Sequence, residues 1–213
     1  MVLEFLLDLL FPPRCTLCHK FLPNSKEPLC SHCAQWVLEQ DPVLFRGKHF
    51  SLCVSPLSFE GMVRESIHRY KFGGRRFYAK TYAPLMASSI RRELGDFDAI
   101  TFVPISKKRR SVRGYDQSEL LAQLLGEILQ KPALSCLKKC KHNPTQSGLQ
   151  HGSERAKNVR GVYEGIHPEA FRGKCILLVD DIITTGATLE ECSNILTKAG
   201  AKKVVCATLA MTK

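Results

Sequence analysis

No apolar run in this chain approaches the ~20 residues needed to carry a helix across a bilayer. Residues 2–11 come nearest, but the stretch is short, is broken by Glu4 and Asp8 and lacks a basic start, so it makes a poor secretory signal. Those two acids lie four apart and share one face of a short amphipathic helix. Packing is its expected fate, with contact at a membrane surface the weaker option. Internal repeats and low-complexity tracts are also missing. Hydrophobic residues at 44% and charged residues at 24% exclude the disordered, collagenous and coiled-coil classes. Neither the Gly-Lys-Ser/Thr of a phosphate loop nor the spaced glycines of a dinucleotide fingerprint occurs.

Acids are in short supply: 20 Asp plus Glu stand against 31 Lys plus Arg, a net charge of +11. An excess of that size concerns partners rather than fold, namely phosphates, nucleic acid or anionic lipid. A length of 213 residues is enough for one ordinary domain with its own core and a small appendage. Without a secretory signal the chain is expected in the cytoplasm, a reducing compartment. Its ten cysteines therefore read as metal ligands or packing residues rather than disulfides.

Composition divides the chain in two. Residues 1–50 contain Cys, Pro and His with little sustained periodicity, whereas residues 51–213 alternate short apolar runs with helical patterns, as βα units around a mostly parallel sheet do. In the larger part, helices are expected over 80–94, 116–130 and 188–199, and strands over 99–103, 175–179 and 204–210. Asp116 and Glu119 resemble a capping box ahead of a stripe that includes Leu121, Leu125 and Ile128. The polar, basic segment 138–160 is long for a connection, which suits a functional flap or partial disorder.

The strongest signal in the first part is Cys15-x2-Cys18-x11-Cys30-x2-Cys33. Two such knuckles aim four thiolates at one point, the closed tetrahedral shell of structural zinc. A segment this small has little core, so the metal would supply its folding energy. His19 and His32 lie in or beside the knuckles, but four sulfurs already close the site. Cys175, Cys192 and Cys206 fall within apolar patterns and read as core residues, and nothing completes a metal set around Cys136 and Cys140.

In the second part, the apolar run ending at Val179 delivers Asp180 and Asp181 to the carboxyl edge of the sheet, where open α/β folds bind ligands. Thr184, Thr185, Gly186, Ala187 and Thr188 then lead straight into a helix. Small residues let backbone amides approach a phosphate, hydroxyls add donors, and the helix dipole favours the anion. Carboxylates just ahead of such a cradle suit a sugar diol or a hydrated Mg²⁺.

This segment resembles the ribose-phosphate motif of type I phosphoribosyltransferases, which bind 5-phosphoribosyl 1-diphosphate (PRPP). The resemblance implies that Asp180 and Asp181 hold the ribose hydroxyls. It also implies that Thr184, Thr185, Gly186, Ala187 and Thr188 cradle the 5-phosphate, and that Mg²⁺ bridges ribose and diphosphate. The whole chain is similar to a narrower group, the competence protein F family of bacterial DNA uptake. The match rests also on the stretch from Leu10 to Cys18, on Arg113-Gly114-Tyr115-Asp116-Gln117-Ser118-Glu119-Leu120-Leu121-Ala122, and on Thr145-Gln146 with Arg155, Asn158, Val159, Arg160, Gly161 and Tyr163. The implied architecture is α/β, a small zinc ribbon followed by a type I phosphoribosyltransferase-like fold, a mostly parallel sheet with flanking helices. The implied role is DNA uptake, with PRPP or a related phosphosugar, single-stranded DNA and proteins of the uptake machinery as partners.

After the strand ending at Val103, the loop through Ser106, Lys107, Lys108 and Arg109 is basic and sits on the same sheet edge. By resemblance it holds the diphosphate. Purine-type members of the enzyme family carry an acid at the position of Thr184, so oxopurine salvage is not expected. If the site is active, it transfers a phosphoribosyl group to an acceptor that the sequence does not specify, and no catalytic residue is assigned. Arg64, Arg69, Lys71, Arg75, Arg76 and Lys80 interleave with Tyr70, Phe72, Phe77 and Tyr78, a pattern found in single-strand binders and also in half-buried helices whose rings face the core.

Overall fold

Ile176, Leu177, Leu178 and Val179 form an unbroken apolar run with no polar position to turn towards water, and all four are fully buried in strand β7 (Cys175–Ile183). Burying side chains of this size contributes roughly 1.5–3 kcal/mol each, which makes this strand the axis of the fold. The computed structural model describes residues 12–141 and 161–212. In chain order the elements are α1 (Ser31–Leu38), β1 (Val43–Phe45), β2 (Cys53–Ser55), β3 (Leu57–Ser58), α2 (Gly61–Phe72), α3 (Ala79–Glu93), β4 (Ala99–Phe102), α4 (Lys107–Arg113), α5 (Gln117–Leu129), β5 (Leu137–Lys139), β6 (Tyr163–Gly165), β7, α6 (Ala187–Lys198) and β8 (Lys203–Met211). Short 3-10 turns cover Arg76–Tyr78 and Pro168–Ala170.

The main sheet runs β1-β2-β8-β7-β4, with β3 also along β8. Every pairing in it is parallel except that of β1 with β2. Residues 43–45, ahead of the composition boundary, thus form the edge strand of the larger sheet. Layers of helix cover both faces, as a parallel sheet requires. One face carries α2, α3 and α5, whose Val63, Ile67, Tyr82, Met86, Leu121 and Leu125 meet Leu177 and Val179 of β7. The other carries α6 and the antiparallel ribbon β5–β6, with Leu189, Cys192 and Leu196 against Ile176 and Leu178.

The helices and strands expected from periodicity lie within a residue or two of their places, except that β7 runs four residues further. It continues through both acids to Ile183 because β8 accompanies it as far as Met211. The basic segment expected as a loop after Val103 is helical from Lys107: Ser106 caps it, its side chain accepting from the Arg109 N–H, and Gly114 ends it in a left-handed conformation (φ 78°). Lys138 and Lys139, the first residues of the expected flap, belong to β5, and β6 follows the flap at Tyr163. Residues 142–160 of the expected flap, and the helix expected at the start of the chain, lie outside the described residues.

Candidate functional site

The first knuckle is a tight turn closed by the pairing of Arg14 with Phe21. The Cys15 N–H donates to the Lys20 carbonyl at 2.9 Å, and His19 takes the left-handed conformation (φ 63°) the turn demands. The second knuckle opens α1, with Cys30 at its N-cap and Cys33 in its first turn. All four sulfurs lie within 4.8 Å of one another, and no other such cluster of His, Cys, Asp and Glu occurs among the described residues. A zinc tetrahedron with bonds of ~2.3 Å places its sulfurs ~3.8 Å apart, and Cys18 and Cys30 stand at 3.7 Å. Burial pushes the Cys15 thiol up, but backbone N–H groups of Cys30, Cys18 and Leu17 outweigh it and bring its pKa down to about 7. The donor set fits structural zinc, and four thiolates leave no position open for chemistry.

This ribbon does not stand apart. Leu17, Cys15 and Cys33 belong to the same core as α2 and α3. Thr16 meets Thr81 through their hydroxyls at 3.1 Å, Ser66 donates to the Thr16 carbonyl, and Arg69 Nη2 donates to the Leu17 carbonyl at 2.7 Å.

Asp180 and Asp181 lie in the carboxyl-terminal half of β7, just beyond the end of β4, and line a cavity of about 980 Å³. Asp180 Oδ1 accepts from Ser118 Oγ at 2.9 Å and from the Asp181 N–H at 2.8 Å. Asp181 Oδ1 is paired with Lys71 Nζ at 2.8 Å, bringing α2 onto the motif. Burial, reinforced by the neighbouring Asp181 charge, raises Asp180 to about 7, with Lys71 and Ser118 pulling the other way. Ser118 is held in place by Asp116, whose carboxylate caps α5 by accepting from the N–H groups of Ser118 and Glu119 and also accepts from the Ile105 N–H at 2.8 Å. One buried acid therefore fixes both the loop after β4 and the hydroxyl that meets Asp180.

Beyond the acids the chain turns at Thr184, Thr185 and Gly186, and Gly186 (φ 77°) caps α6. Thr184 and Thr188 line the cavity, whereas Thr185, Gly186 and Ala187, expected with them, are not part of its lining. A Cβ on Gly186 would come within 2.9 Å of the Phe45 ring, so β1 forms the bed of this turn. Glu190, in the first turn of α6, accepts from the Lys48 N–H at 2.6 Å and from the His49 N–H at 3.0 Å.

Of the four residues expected to meet the diphosphate, Arg109 lines the cavity, Ser106 is the buried cap of α4, and Lys107 and Lys108 project into solvent outside the lining. Arg113, one helical turn after Arg109, joins it in the wall. Ribbon β5–β6 adds Lys139 and Tyr163, with Lys139 Nζ donating to the Tyr163 hydroxyl at 3.1 Å. Burial, with the nearby Arg109 charge, lowers the Lys139 pKa. Reading the sequence did not single out Ser118, Arg113 or Tyr163 for the site. Arg113 carried a signal in its i+4 spacing from Arg109; Ser118 and Tyr163 lie in stretches that carry the family resemblance, but only tertiary packing brings them to the acids and the cavity.

The sheet order, the acid pair at its carboxyl edge and the threonine turn into α6 define a phosphoribosyltransferase-like domain, here fused to a zinc ribbon. Comparison with known proteins agrees: residues 87–213 match the phosphoribosyl transferase domain family, and residues 6–43 match the double zinc ribbon domain family. The described part of the latter builds one four-sulfur site. Competence protein F of Haemophilus influenzae is 30% identical over 207 residues, covering 89% of this chain and 86% of its own. Competence protein ComFC of Bacillus subtilis is 27% identical over 87% of this chain and 72% of its own. DNA utilization protein YhgH of Salmonella typhimurium is 29% identical over 91% of this chain and 94% of its own. The chain belongs to the competence protein F family, within the phosphoribosyltransferase-like proteins.

Proposed function

We propose that this protein is a cytoplasmic competence factor that handles incoming single-stranded DNA during natural transformation and binds PRPP in the cavity over Asp180 and Asp181. The observation that carries the PRPP reading is the adjacency, in one cavity, of the acid pair with Thr184, Thr188, Arg109 and Arg113. Carboxylates accept from ribose hydroxyls, the turn into α6 offers backbone N–H groups and a helix dipole to the 5-phosphate, and the two guanidinium groups suit the diphosphate. Asp180 and Asp181 also suit a hydrated Mg²⁺ that accompanies the sugar phosphate, which would neutralise diphosphate charge. The DNA reading is supported by the net charge of +11 and by the printed names of the relatives. Proteins of the uptake machinery are the expected partners of such a factor. Among the described residues no helix is long and apolar enough to cross a membrane.

A second reading, a working phosphoribosyltransferase, is favoured by the extent of the cavity. It runs past the acids to Phe59, His68 and Phe72 under α2, leaving room for an acceptor beside the ribose. There a nucleophile would displace diphosphate from C1, with Arg109, Arg113 and Lys139 stabilising the departing charge. Calorimetric titration of PRPP with Mg²⁺ into the zinc-loaded protein tests the first reading. Binding that shifts when single-stranded DNA is present supports it, and absence of binding in both conditions overturns the PRPP site. Diphosphate release with any acceptor would move the protein to the second reading.

A further inference from the structure

The aromatic residues around the end of α2 are sorted against their polarity. Tyr70 and Tyr78 are buried, stacked edge-on with Tyr82, while Phe72 and Phe77 stand 56% and 54% exposed. Hydrophobicity alone would place the phenylalanines inside and the tyrosines at the surface. A third ring, Phe21 on the first zinc knuckle, is 61% exposed. Each carries a guanidinium over its ring: Arg14 over Phe21 at 3.8 Å, Arg113 over Phe72 at 4.7 Å and Arg75 over Phe77 at 5.9 Å. The tract is joined by α2: Arg69 Nη2 donates to the Leu17 carbonyl of the knuckle at 2.7 Å, Phe72 ends the helix, and Phe77 follows five residues on. Its far end reaches the cavity mouth, where Phe72 and Arg113 both contribute to the lining.

We propose that these three arginine–phenylalanine pairs are a stacking track for a single DNA strand, running from the zinc knuckle to the mouth of the acidic cavity. The inference rests on the DNA reading above and adds where the strand lies and how it is held. An unpaired strand offers base faces for the rings and phosphates for the guanidinium groups, and ring stacking tolerates any base. A duplex hides its base faces and would meet only the charge. Apolar docking to an anionic membrane would use the rings without needing them to be aromatic.

The test is fluorescence anisotropy of a labelled single-stranded oligonucleotide with the full, zinc-loaded protein over a salt series. Phe21→Ala, Phe77→Ala and Phe72→Ala should each weaken binding about fivefold or more, with the slope against salt unchanged. Phe→Leu at the same positions should lose as much, and Phe→Tyr should keep most of the affinity. Arg14→Gln and Arg75→Gln should reduce the salt slope, since each phosphate contact adds about −0.7 to it. Affinity indifferent to the rings, or restored by Leu, overturns the stacking track while leaving DNA binding intact. Loss of ring-dependent binding to anionic vesicles, with binding to DNA unaffected, would assign the tract to a membrane. No binding of single-stranded DNA by the parent protein would overturn the DNA reading and the track together.

Discussion

The zinc ribbon and the acidic cavity are both built from side chains that a single charged species would organise, yet they are built in opposite ways. The ribbon takes all four ligands from residues 15–33, closes the coordination shell and leaves no opening. The cavity draws on α2, the loop after β4, α4, ribbon β5–β6, β7 and the turn into α6, and stays open to solvent. A closed site returns its binding energy to the fold, whereas an open one keeps unsatisfied groups for a ligand. The difference should be visible in what each loses when broken.

The largest effect is expected from the ribbon. Cys15→Ser or Cys33→Ser removes a ligand from a cluster that shares its core with α2 and α3. Zinc content should fall, and the loss should spread beyond the ribbon through Thr16, Ser66 and Arg69. We expect a single unfolding transition lowered by about 3–5 kcal/mol, followed by circular dichroism with zinc measured on the same sample. A second transition unchanged from the parent would show the sheet domain to be independent of its metal, and would remove the energetic half of the comparison.

Breaking the cavity should do the reverse. Asp180→Ala with Asp181→Ala should weaken PRPP binding about a hundredfold or more, the loss expected when charged hydrogen-bond acceptors are removed, while zinc content stays at the parent level. Retained affinity would mean that the acids do not touch the ligand.

Legibility follows the same division. The ribbon was readable because its ligands are contiguous in sequence and their spacing is dictated by tetrahedral geometry. The β7 acids and the turn into α6 were readable for the same reason, as one unbroken strand–turn–helix. What was missed enters from a distance: Ser118 reaches Asp180 across 62 residues, and Lys71 pairs with Asp181 from α2. Ser118 lies in a stretch that carries the family resemblance and Lys71 in the basic–aromatic cluster, but nothing local ties either to the acids. The basic run after Val103 was half legible. Taken as a loop, all of Lys107, Lys108 and Arg109 could face a phosphate; wound as a helix from Ser106, only Arg109 and its successor Arg113 share the cavity side, because the repeat is 3.6 residues. Around the end of α2 the rings split in a way no pattern announced, with Tyr70 and Tyr78 inward and Phe72 and Phe77 outward.

Acid titration sharpens the contrast between a site that stabilises and one that does not. Asp180 binds its proton more tightly in the folded protein, with a pKa of about 7, than in the unfolded chain, where 3.8 is ordinary. The folded state therefore holds more protons between these values, so this group's contribution to stability declines as pH rises from about 4 through about 7. Asp180→Asn removes that penalty. It should raise the thermal midpoint at pH 8 by a few degrees and have little effect at pH 4, while PRPP affinity drops. For the parent, PRPP binding should weaken as pH falls from 8 to 6 and Asp180 takes up its proton. A variant less stable at pH 8 would show that the carboxylate is held by the fold rather than reserved for a ligand.

The smallest expected effect lies where the two regions meet. Residues 43–49, which follow the ribbon, lay Phe45 beneath Gly186 and give the N–H groups of Lys48 and His49 to Glu190. The turn into α6 is thus shaped from below by the N-terminal part of the chain. Gly186→Ala brings two costs to one atom: a left-handed backbone at φ 77° and a Cβ 2.9 Å from the Phe45 ring. Together they should cost about 1–3 kcal/mol of stability. Phe45→Leu in the same chain removes the ring and relieves the second cost but not the first. Partial recovery of stability and of PRPP affinity in the double variant would show the ring to be the bed of the turn. Full recovery would mean that the backbone at Gly186 is unstrained, and no recovery would mean that Phe45 only fills space.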